Sequence, residues 1–195
     1  MLKKIFFTLL LLSSISSAQF QFGEAKGLFM AVGVGPRIPV SDFSDKNNIG
    51  VGFDVTFSYS DNLLMPFFIY GNFGYQHYPG RQDLYKKTDY SAFSSNVLLF
   101  QPGIRFYFPP ILENVVLLMP VIDAGLEFAL FEDHNQFKVD RARTSYVDQY
   151  GKFGFHAGVG ISMFLLDVVT YYNYFPDHEN ISFVMKVNIP IFIKI

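Results

Sequence analysis

The chain contains no cysteine and no tryptophan among its 195 residues. Without cysteine it can form no disulfide, carry no thiolate nucleophile and take no cysteine-linked lipid anchor. Charged residues make up only 16% of the chain, and the formal net charge is −2 at pH 7. We therefore expect no nucleic-acid partner, because such a partner requires a basic surface. The aromatic residues, 18% of the chain, are all phenylalanine or tyrosine.

A long hydrophobic run is also missing from the part of the chain that follows the N-terminus, although hydrophobic residues make up 50% of the whole. The longest apolar run there, Val115–Ile122, has eight residues and contains Pro120. A helix needs about 20 apolar residues to cross a bilayer. A chain this apolar without such a helix must distribute its apolar side chains by alternation, as the strands of a transmembrane β-barrel do.

The first 18 residues have the parts of a secretory signal peptide. Lys3 and Lys4 are basic, Ile5–Leu12 is mostly apolar, and small residues lead to Ala18. The apolar run is too short for a membrane anchor. We therefore predict an exported protein with a signal peptide over residues 1–18 and one domain over residues 19–195.

The closing stretch, Ile181–Ile195, alternates strictly. Its odd-numbered positions are all Ile, Phe, Met or Val, whereas its even-numbered positions include Ser182, Lys186 and Asn188. Ile49–Tyr59 shows the same pattern. A period of two places alternate side chains on opposite faces of a strand. At about 15 residues the closing stretch is long for a soluble strand but ample for a tilted strand that crosses a bilayer.

The whole chain divides into eight such segments. They are Leu28–Gly35, Ile49–Tyr59, Met65–Tyr78, Phe93–Phe108, Leu117–Phe131, Phe153–Leu165, Val168–Phe175 and Ile181–Ile195. The connections after the first, third and fifth segments are long, and those after the second, fourth and sixth are short. An even strand count with long loops at one rim is typical of outer-membrane barrels. We predict an all-β, eight-stranded antiparallel up-and-down transmembrane β-barrel with both ends on the periplasmic side.

In that barrel the polar faces of the strands point into the lumen. They carry six ionisable residues: Asp54, Arg105, Asp123, Glu127, His156 and Lys186. Because unpaired buried charge is costly, we expect ion pairs, with Arg105 contacting Asp123 or Glu127 on the neighbouring strand. Lys186 would have to reach across the lumen to contact Asp54. A lumen of eight strands is narrow enough for side chains to fill, so we expect a plugged barrel rather than an open, porin-like channel.

Two other groups of residues relate to the barrel wall. Aromatic rings near strand ends are typical of the two membrane interfaces, and the candidates are Tyr59, Tyr75, Tyr78, Phe106 and Phe108. Proline cannot donate a hydrogen bond to the ladder of a sheet. We therefore expect strand ends or bulges at the prolines that lie in or near predicted strands, which are Pro66, Pro102, Pro120 and Pro190.

Motifs for catalysis, cofactors or metals are missing. The Gly-x-Gly pairs, such as Gly50/Gly52, lie within strands and precede no helix, so they predict no dinucleotide site. The four histidines, His77, His134, His156 and His178, lack the spacing of metal ligands. We predict no catalytic residue, no metal site and no cofactor.

The chain resembles the small outer-membrane barrels of the OmpA membrane-domain and OmpX type. The resemblance covers Gly27–Ile195 and rests on the strand count, on Ile49–Tyr59 and on Ile181–Ile195. It implies a non-enzymatic, monomeric protein of the bacterial outer membrane with a structural or surface-interaction role through its extracellular loops. It further implies contact with outer-membrane lipid and lipopolysaccharide, and recognition of the C-terminal strand by the outer-membrane assembly machinery. Closing strands in this family often end in an aromatic residue, whereas this chain ends in Ile195, with Phe192 before it.

Two alternatives remain open at this level. A soluble periplasmic barrel of the lipocalin type would turn the apolar faces inward around a ligand, but soluble outer faces usually carry more charge than these strands do. A lipid A-modifying outer-membrane enzyme would need a histidine and a serine within hydrogen-bond reach. His77 and His156 are the candidate histidines, although no spacing supports either.

Overall fold

The structure is a computed structural model that describes residues 26–111, 118–139, 143–163 and 165–194. Eight strands and two short helices make up these residues. The strands are β1 Lys26–Pro39, β2 Gly50–Asp61, β3 Phe67–Pro79, β4 Tyr90–Tyr107, β5 Leu118–Phe137, β6 Tyr146–Met163, β7 Leu166–Tyr174 and β8 Asn180–Lys194. The helices are α1 Phe43–Lys46 and α2 Gln82–Lys87. The predicted signal peptide, residues 1–18, lies outside the described residues.

The strands form a closed barrel in chain order. Each strand pairs antiparallel with the next, and β1 pairs antiparallel with β8 to close the ring. The predicted fold class is therefore confirmed. In the part of the chain that the structure describes, no helix is long and apolar enough to cross a membrane.

The two faces of each strand differ as the alternation predicts. On β2, Val51 is 60% exposed and Phe53 is 47% exposed on the outside of the barrel, whereas Asp54 is only 3% exposed. On β7, Val169 and Tyr171 are buried in the lumen. A lipocalin-type barrel has the opposite arrangement, with its apolar face inward. The soluble alternative is therefore wrong for this fold.

The largest difference from the sequence prediction concerns the expected long loop at 132–150. In the structure, β5 and β6 continue through most of it and remain paired as far as Asn135 opposite Tyr146. The stretch lacks apolar alternation because it lies beyond the apolar band, where Gln136, Asp148 and Gln149 are exposed although Asn135 is buried. A period-two apolar pattern arises only where one face is covered.

Of the four prolines in or near predicted strands, Pro66 lies outside a strand, and Pro120 lies near the start of β5 and pairs with Ile161 in a regular ladder. Pro66 lies in the turn that precedes β3. The carbonyl of Pro120 accepts a bond from the backbone N–H of Phe108, just beyond the end of β4. Pro190 pairs with Phe29 next to a register shift in the β1–β8 ladder. Pro102 lies inside β4, where the pairing with β5 is interrupted between Phe100 and Gly103.

The outer end of the lumen, at the rim with the long connections, is filled by apolar side chains. Phe43 of α1 is only 4% exposed, and its ring centroid lies 4.9 Å from that of Tyr78 and 6.1 Å from that of Phe131. The same buried cluster includes Val97, Leu99, Ala129 and Phe175. α1 therefore folds over the rim and closes the outer end of the barrel, above the polar part of the lumen.

Candidate functional site

The polar part of the lumen contains a branched ion pair centred on Arg105. Its Nε and Nη2 atoms donate to the two carboxylate oxygens of Asp123, each at 2.7 Å. Its Nη1 atom donates to Asp167 Oδ2 at 2.5 Å. Arg105 and Asp123 are direct cross-strand partners on β4 and β5. The structure therefore brings together one of the two pairs that the sequence favoured, Arg105 with Asp123 and not with Glu127.

Asp167 is a member of this cluster that the sequence analysis missed. Its side chain is fully buried, and it begins the inward-facing series of β7. The sequence segments Phe153–Leu165 and Val168–Phe175 leave Asp167 in the connection between them. The available signal was the alternation along the strand, since Asp167 has an odd number like the inward-facing Val169 and Tyr171 on β7.

A second buried ion pair joins Arg37 on β1 to Asp54 on β2. Asn72 donates to Asp54 at 3.3 Å and to Gln101 Oε1 at 2.5 Å, and Gln101 in turn donates to Glu127. Glu127 is thus bound by an amide and not by Arg105. Arg37 was also missed, although it continues the inward parity of β1.

Lys186 and His156 fill the centre of the lumen. The Lys186 Nζ atom donates to Thr56 Oγ1 at 3.3 Å and to the Tyr171 hydroxyl at 3.0 Å. Within the described residues it forms no salt bridge with Asp54. His156 Nε2 lies 2.5 Å from the Tyr70 hydroxyl, and His156 Nδ1 lies 3.5 Å from Glu127 Oε1. All six predicted interior residues therefore lie in one lumen, but they connect through amides and hydroxyls as well as through charge.

One of the five predicted interface aromatics is placed wrongly by the sequence. Tyr78 is 0% exposed and lies inside the lumen, where its hydroxyl donates to Gln76 Oε1 at 2.6 Å. The reason is parity, because Tyr78 shares the inward face of β3 with Asn72 and Gln76. The other four, Tyr59, Tyr75, Phe106 and Phe108, are at least partly exposed. Their role at the membrane interfaces stays a prediction.

The histidine considered for an enzymatic site on the barrel exterior is His77. Its Nδ1 atom lies 2.8 Å from Asn96 Oδ1, to which the Tyr75 hydroxyl also donates at 2.9 Å. His156, the other candidate, is enclosed in the lumen. Neither histidine is hydrogen-bonded to a serine among the described residues. The same residues contain no group of three His, Cys, Asp or Glu side chains that could hold a metal ion.

The outer rim holds a hydrogen-bonded chain that packs against the apolar plug. His178 Nε2 lies 2.7 Å from the Tyr150 hydroxyl, which donates to Asp133 at 2.8 Å. The His178 ring also lies 5.0 Å from that of Phe43 and 4.8 Å from that of Phe131. Burial lowers the pKa of His178 below its ordinary value, and the nearby Lys152 ammonium acts in the same direction. The imidazole is therefore neutral at pH 7, and it links the β7–β8 connection to α1.

Comparison with solved structures places this barrel among the small eight-stranded outer-membrane β-barrels at the level of fold. The crystal structure of Neisserial surface protein A matches with a TM-score of 0.56 and 13% identity, over 85% of this chain and 97% of that one. The attachment invasion locus protein Ail of Yersinia pestis, in complex with the heparin analogue sucrose octasulfate, matches with a TM-score of 0.50 and 11% identity, over 85% of this chain and 99% of that one. No protein-family model matches the chain, and no curated protein matches it in sequence.

Proposed function

We propose that this chain, which has the fold of the small eight-stranded outer-membrane β-barrels, spans the bacterial outer membrane as a closed, non-enzymatic barrel and acts at the cell surface through its outer rim. The first support is the outward apolar face. Leu98, Leu126 and Phe128 are each about half exposed, at 58%, 49% and 47%. Soluble monomers rarely expose contiguous apolar patches larger than a few hundred Å². An apolar band that runs around a whole barrel is therefore best explained by contact with lipid.

The observation that carries the proposal is the closed lumen. The buried ion pairs and amides fill the centre, and the cavity they leave has a volume of about 10 Å³, room for about one water molecule. The apolar plug around Phe43 closes the outer end above them. A lumen filled in this way does not conduct solutes, which leaves the exterior surfaces as the parts that can interact.

The outer rim offers polar surface for such interactions. A cleft of about 400 Å³ lies between the α1 and α2 connections, and it is lined by polar side chains that include Asn48, Arg81 and Asp83. Just above the apolar band, Glu132 accepts hydrogen bonds from Gln149 and His134 on the barrel exterior. We propose that these polar side chains of the outer rim contact the head groups of outer-membrane lipid and lipopolysaccharide. We further propose that the barrel is a monomer whose C-terminal strand is recognised during assembly.

Membrane fractionation followed by electrophoresis tests the proposal. We expect the full-length protein in the outer-membrane fraction, with a mobility that changes when the sample is boiled, because a closed barrel resists detergent until heated. Purified protein in a planar bilayer should show no steady conductance. A freely soluble periplasmic protein would contradict the location, and a stable open channel would contradict the closed lumen.

A further inference from the structure

The inner end of the lumen, at the rim with the short connections, contains an apolar cavity of about 360 Å³. Its walls include Phe29 of β1, Met65 of the β2–β3 turn, Phe68 of β3, Tyr107 of β4 and Met119 of β5. We call this cavity the inner vestibule. The Tyr107 hydroxyl accepts a hydrogen bond from Arg105 Nη1 at 3.3 Å, so the vestibule lies directly below the buried ion pairs of the lumen.

The two ends of the lumen differ in how their inward aromatic rings are covered. At the outer end, Phe43 of α1 packs on Tyr78, which is 0% exposed. At the inner end, the ring of Phe68 lies 5.9 Å from that of Phe29 and 4.9 Å from that of Tyr107, yet all three side chains are partly exposed. Apolar surface that remains in contact with water is unfavourable. Within the described ranges, no segment covers these rings as Phe43 covers Tyr78.

The chain itself carries two further phenylalanines that join the barrel at this same rim. Residues 19–25 have the sequence Gln-Phe-Gln-Phe-Gly-Glu-Ala and connect directly to Lys26, the first residue of β1. They lie outside the described residues. Lys26 is at the inner end of β1, the strand whose inward-facing Phe29 lines the vestibule.

We propose that Phe20 and Phe22 dock in the inner vestibule and close the inner end of the lumen, as Phe43 closes its outer end. An extended backbone over residues 19–22 would place both rings on one face and both glutamines on the other. Gly23 follows them, and glycine readily adopts the conformations that a chain reversal requires. The inference goes beyond the proposed function, since it concerns the opposite end of the barrel and holds whatever the outer rim contacts.

The dimensions of the segment and of the vestibule agree. An apolar cavity of about 150 Å³ holds one benzene molecule, so a cavity of about 360 Å³ has room for two phenyl rings. Phe29 lies three residues into β1, about 10 Å from Lys26. Phe22 and Phe20 precede Lys26 by four and six residues, which span at most about 14 Å and about 21 Å. The segment therefore reaches the level of Phe29 after it reverses its direction.

Attachment to β1 favours this segment over an apolar ligand from outside the protein. A short flexible linker holds the attached group at an effective concentration in the millimolar range. A free acyl chain or apolar peptide would have to compete with a segment that is always present at that concentration. Gln19, Gln21 and Glu24 suit the same arrangement, because polar side chains are readily accommodated in the water at the mouth of the barrel.

The first test uses tryptophan fluorescence, because the chain contains no tryptophan of its own. The exported full chain is isolated from membranes and placed in lipid nanodiscs. In Phe22→Trp we expect blue-shifted emission and several-fold weaker quenching by acrylamide than in Gln21→Trp, the matched control on the opposite face. Nanodiscs of brominated lipid should not quench Phe22→Trp, because the vestibule lies inside the barrel. Equal acrylamide quenching of the two variants, or strong quenching of Phe22→Trp by brominated lipid, would overturn the inference.

The second test measures whether the segment covers the vestibule wall, and it uses the absence of cysteine from the chain. Met119→Cys should react slowly with a water-soluble maleimide in the otherwise natural chain. Adding Phe20→Ala and Phe22→Ala should accelerate the reaction several-fold, whereas adding Gln19→Ala and Gln21→Ala should not. Leu63→Cys, at a side chain that is 74% exposed in the β2–β3 turn, should react equally fast in all three backgrounds.

Two outcomes of the second test would contradict the inference. One is an unchanged reaction rate of Met119→Cys after both phenylalanines are removed. The other is an equimolar amount of fatty acid extracted from the purified natural protein, which would assign the vestibule to an acyl chain. The heat-dependent gel mobility of the same preparations tests the barrel independently. A folded barrel whose introduced tryptophan is exposed to acrylamide therefore contradicts only this inference.

Discussion

Arg105 on β4 faces Asp123 on β5 as its direct cross-strand partner and donates two hydrogen bonds to it, each at 2.7 Å. The same guanidinium donates a third bond across the lumen to Asp167. One cation therefore bridges two carboxylates that are both fully buried. Such a site is strongly sensitive to loss of the cation, because each carboxylate that remains is a buried and unpaired charge.

The substitution Arg105→Met should destabilise the barrel by about 3–5 kcal/mol, the usual effect of breaking a buried ion pair from one side. Urea unfolding in lipid vesicles measures this free energy. Arg143→Met is the matched control, because the Arg143 side chain is 61% exposed and its salt bridge with Asp89, at 3.9 Å, lies at the surface. A loss below about 1 kcal/mol for Arg105→Met would contradict the buried pair.

Gly35 on β1 lies close to the backbone of β8, at the seam where the barrel closes. A Cβ atom built there would lie 1.8 Å from the backbone carbonyl oxygen of Phe183 on β8. Gly35→Ala should therefore force the two strands apart and destabilise the barrel by about 1–3 kcal/mol or more. Gly71→Ala on β3 is the control, since its Cβ would meet nothing nearer than 3.6 Å. Equal unfolding midpoints for the two variants would contradict this close approach.

Leu126 tests whether lipid covers the apolar band. It lies on the outward face of β5, between Ile122 and Leu130. Leu126→Arg should cost about 2–4 kcal/mol near the bilayer midplane. Val147→Arg should cost only about 0–1 kcal/mol, because Val147 lies beyond the band. Unfolding in vesicles measures both, and a harmless arginine at position 126 would indicate that water covers this face.

The outer cap should loosen in mild acid. Burial lowers the pKa of His178 in the folded state, whereas an unfolded cap would return it to about 6.5. The opened cap binds more protons in that range, so its stability is fully present above about pH 6.5 and falls as the pH drops below that value. Lys152, Asp133 and Asp177 are the charged groups that face this imidazole.

Hydrogen exchange of the α1 amides between pH 8 and pH 5 measures the loosening. We expect weaker protection of these amides, relative to the intrinsic exchange rate at each pH, at pH 5 in the natural chain, and a smaller pH dependence of that protection in His178→Gln, which removes the titrating group. His134→Gln is the control, since the His134 side chain is 37% exposed at the exterior. A pH dependence that persists unchanged in His178→Gln would assign the effect to another group.

Phe43 tests the apolar plug. It packs in the outer lumen against Tyr78 and Phe131. Phe43→Ala should leave the barrel folded but should release α1 from the rim, because the helix has only four residues and few other buried contacts. We expect faster exchange in α1, while the strands below it keep their protection. Leu63→Ala, at a side chain that is 74% exposed in the β2–β3 turn, should change neither.

The strand count and the direction of the faces of every strand except β7 could be predicted because alternation is a local property. In Ile49–Tyr59 every second residue is apolar, and a strand has no other way to place those residues than on one face. The same parity would have placed Tyr78 in the lumen. That error arose from giving its aromatic character more weight than its position on β3.

Contacts between side chains in the lumen could be predicted only where the two residues lie on strands that are adjacent in the sequence. Arg105 and Asp123 face each other on consecutive strands, and so the sequence brought them together. The contacts of Asp167 and Lys186 depend on the register of every strand in the ring and on the curvature that brings opposite walls close. These are properties of the closed barrel, and no local pattern contains them.

By itself the sequence determined the all-β class, the order of eight strands and the polar character of the lumen, because period-two alternation specifies which side chains share a face. Only the tertiary structure decided that α1 closes the outer end with Phe43, and that β5 and β6 remain paired beyond the rest of the barrel. Both features lie outside the apolar band, where no single face is buried. There the backbone pairing and the packing of neighbouring segments, and not the pattern of the sequence, select the conformation.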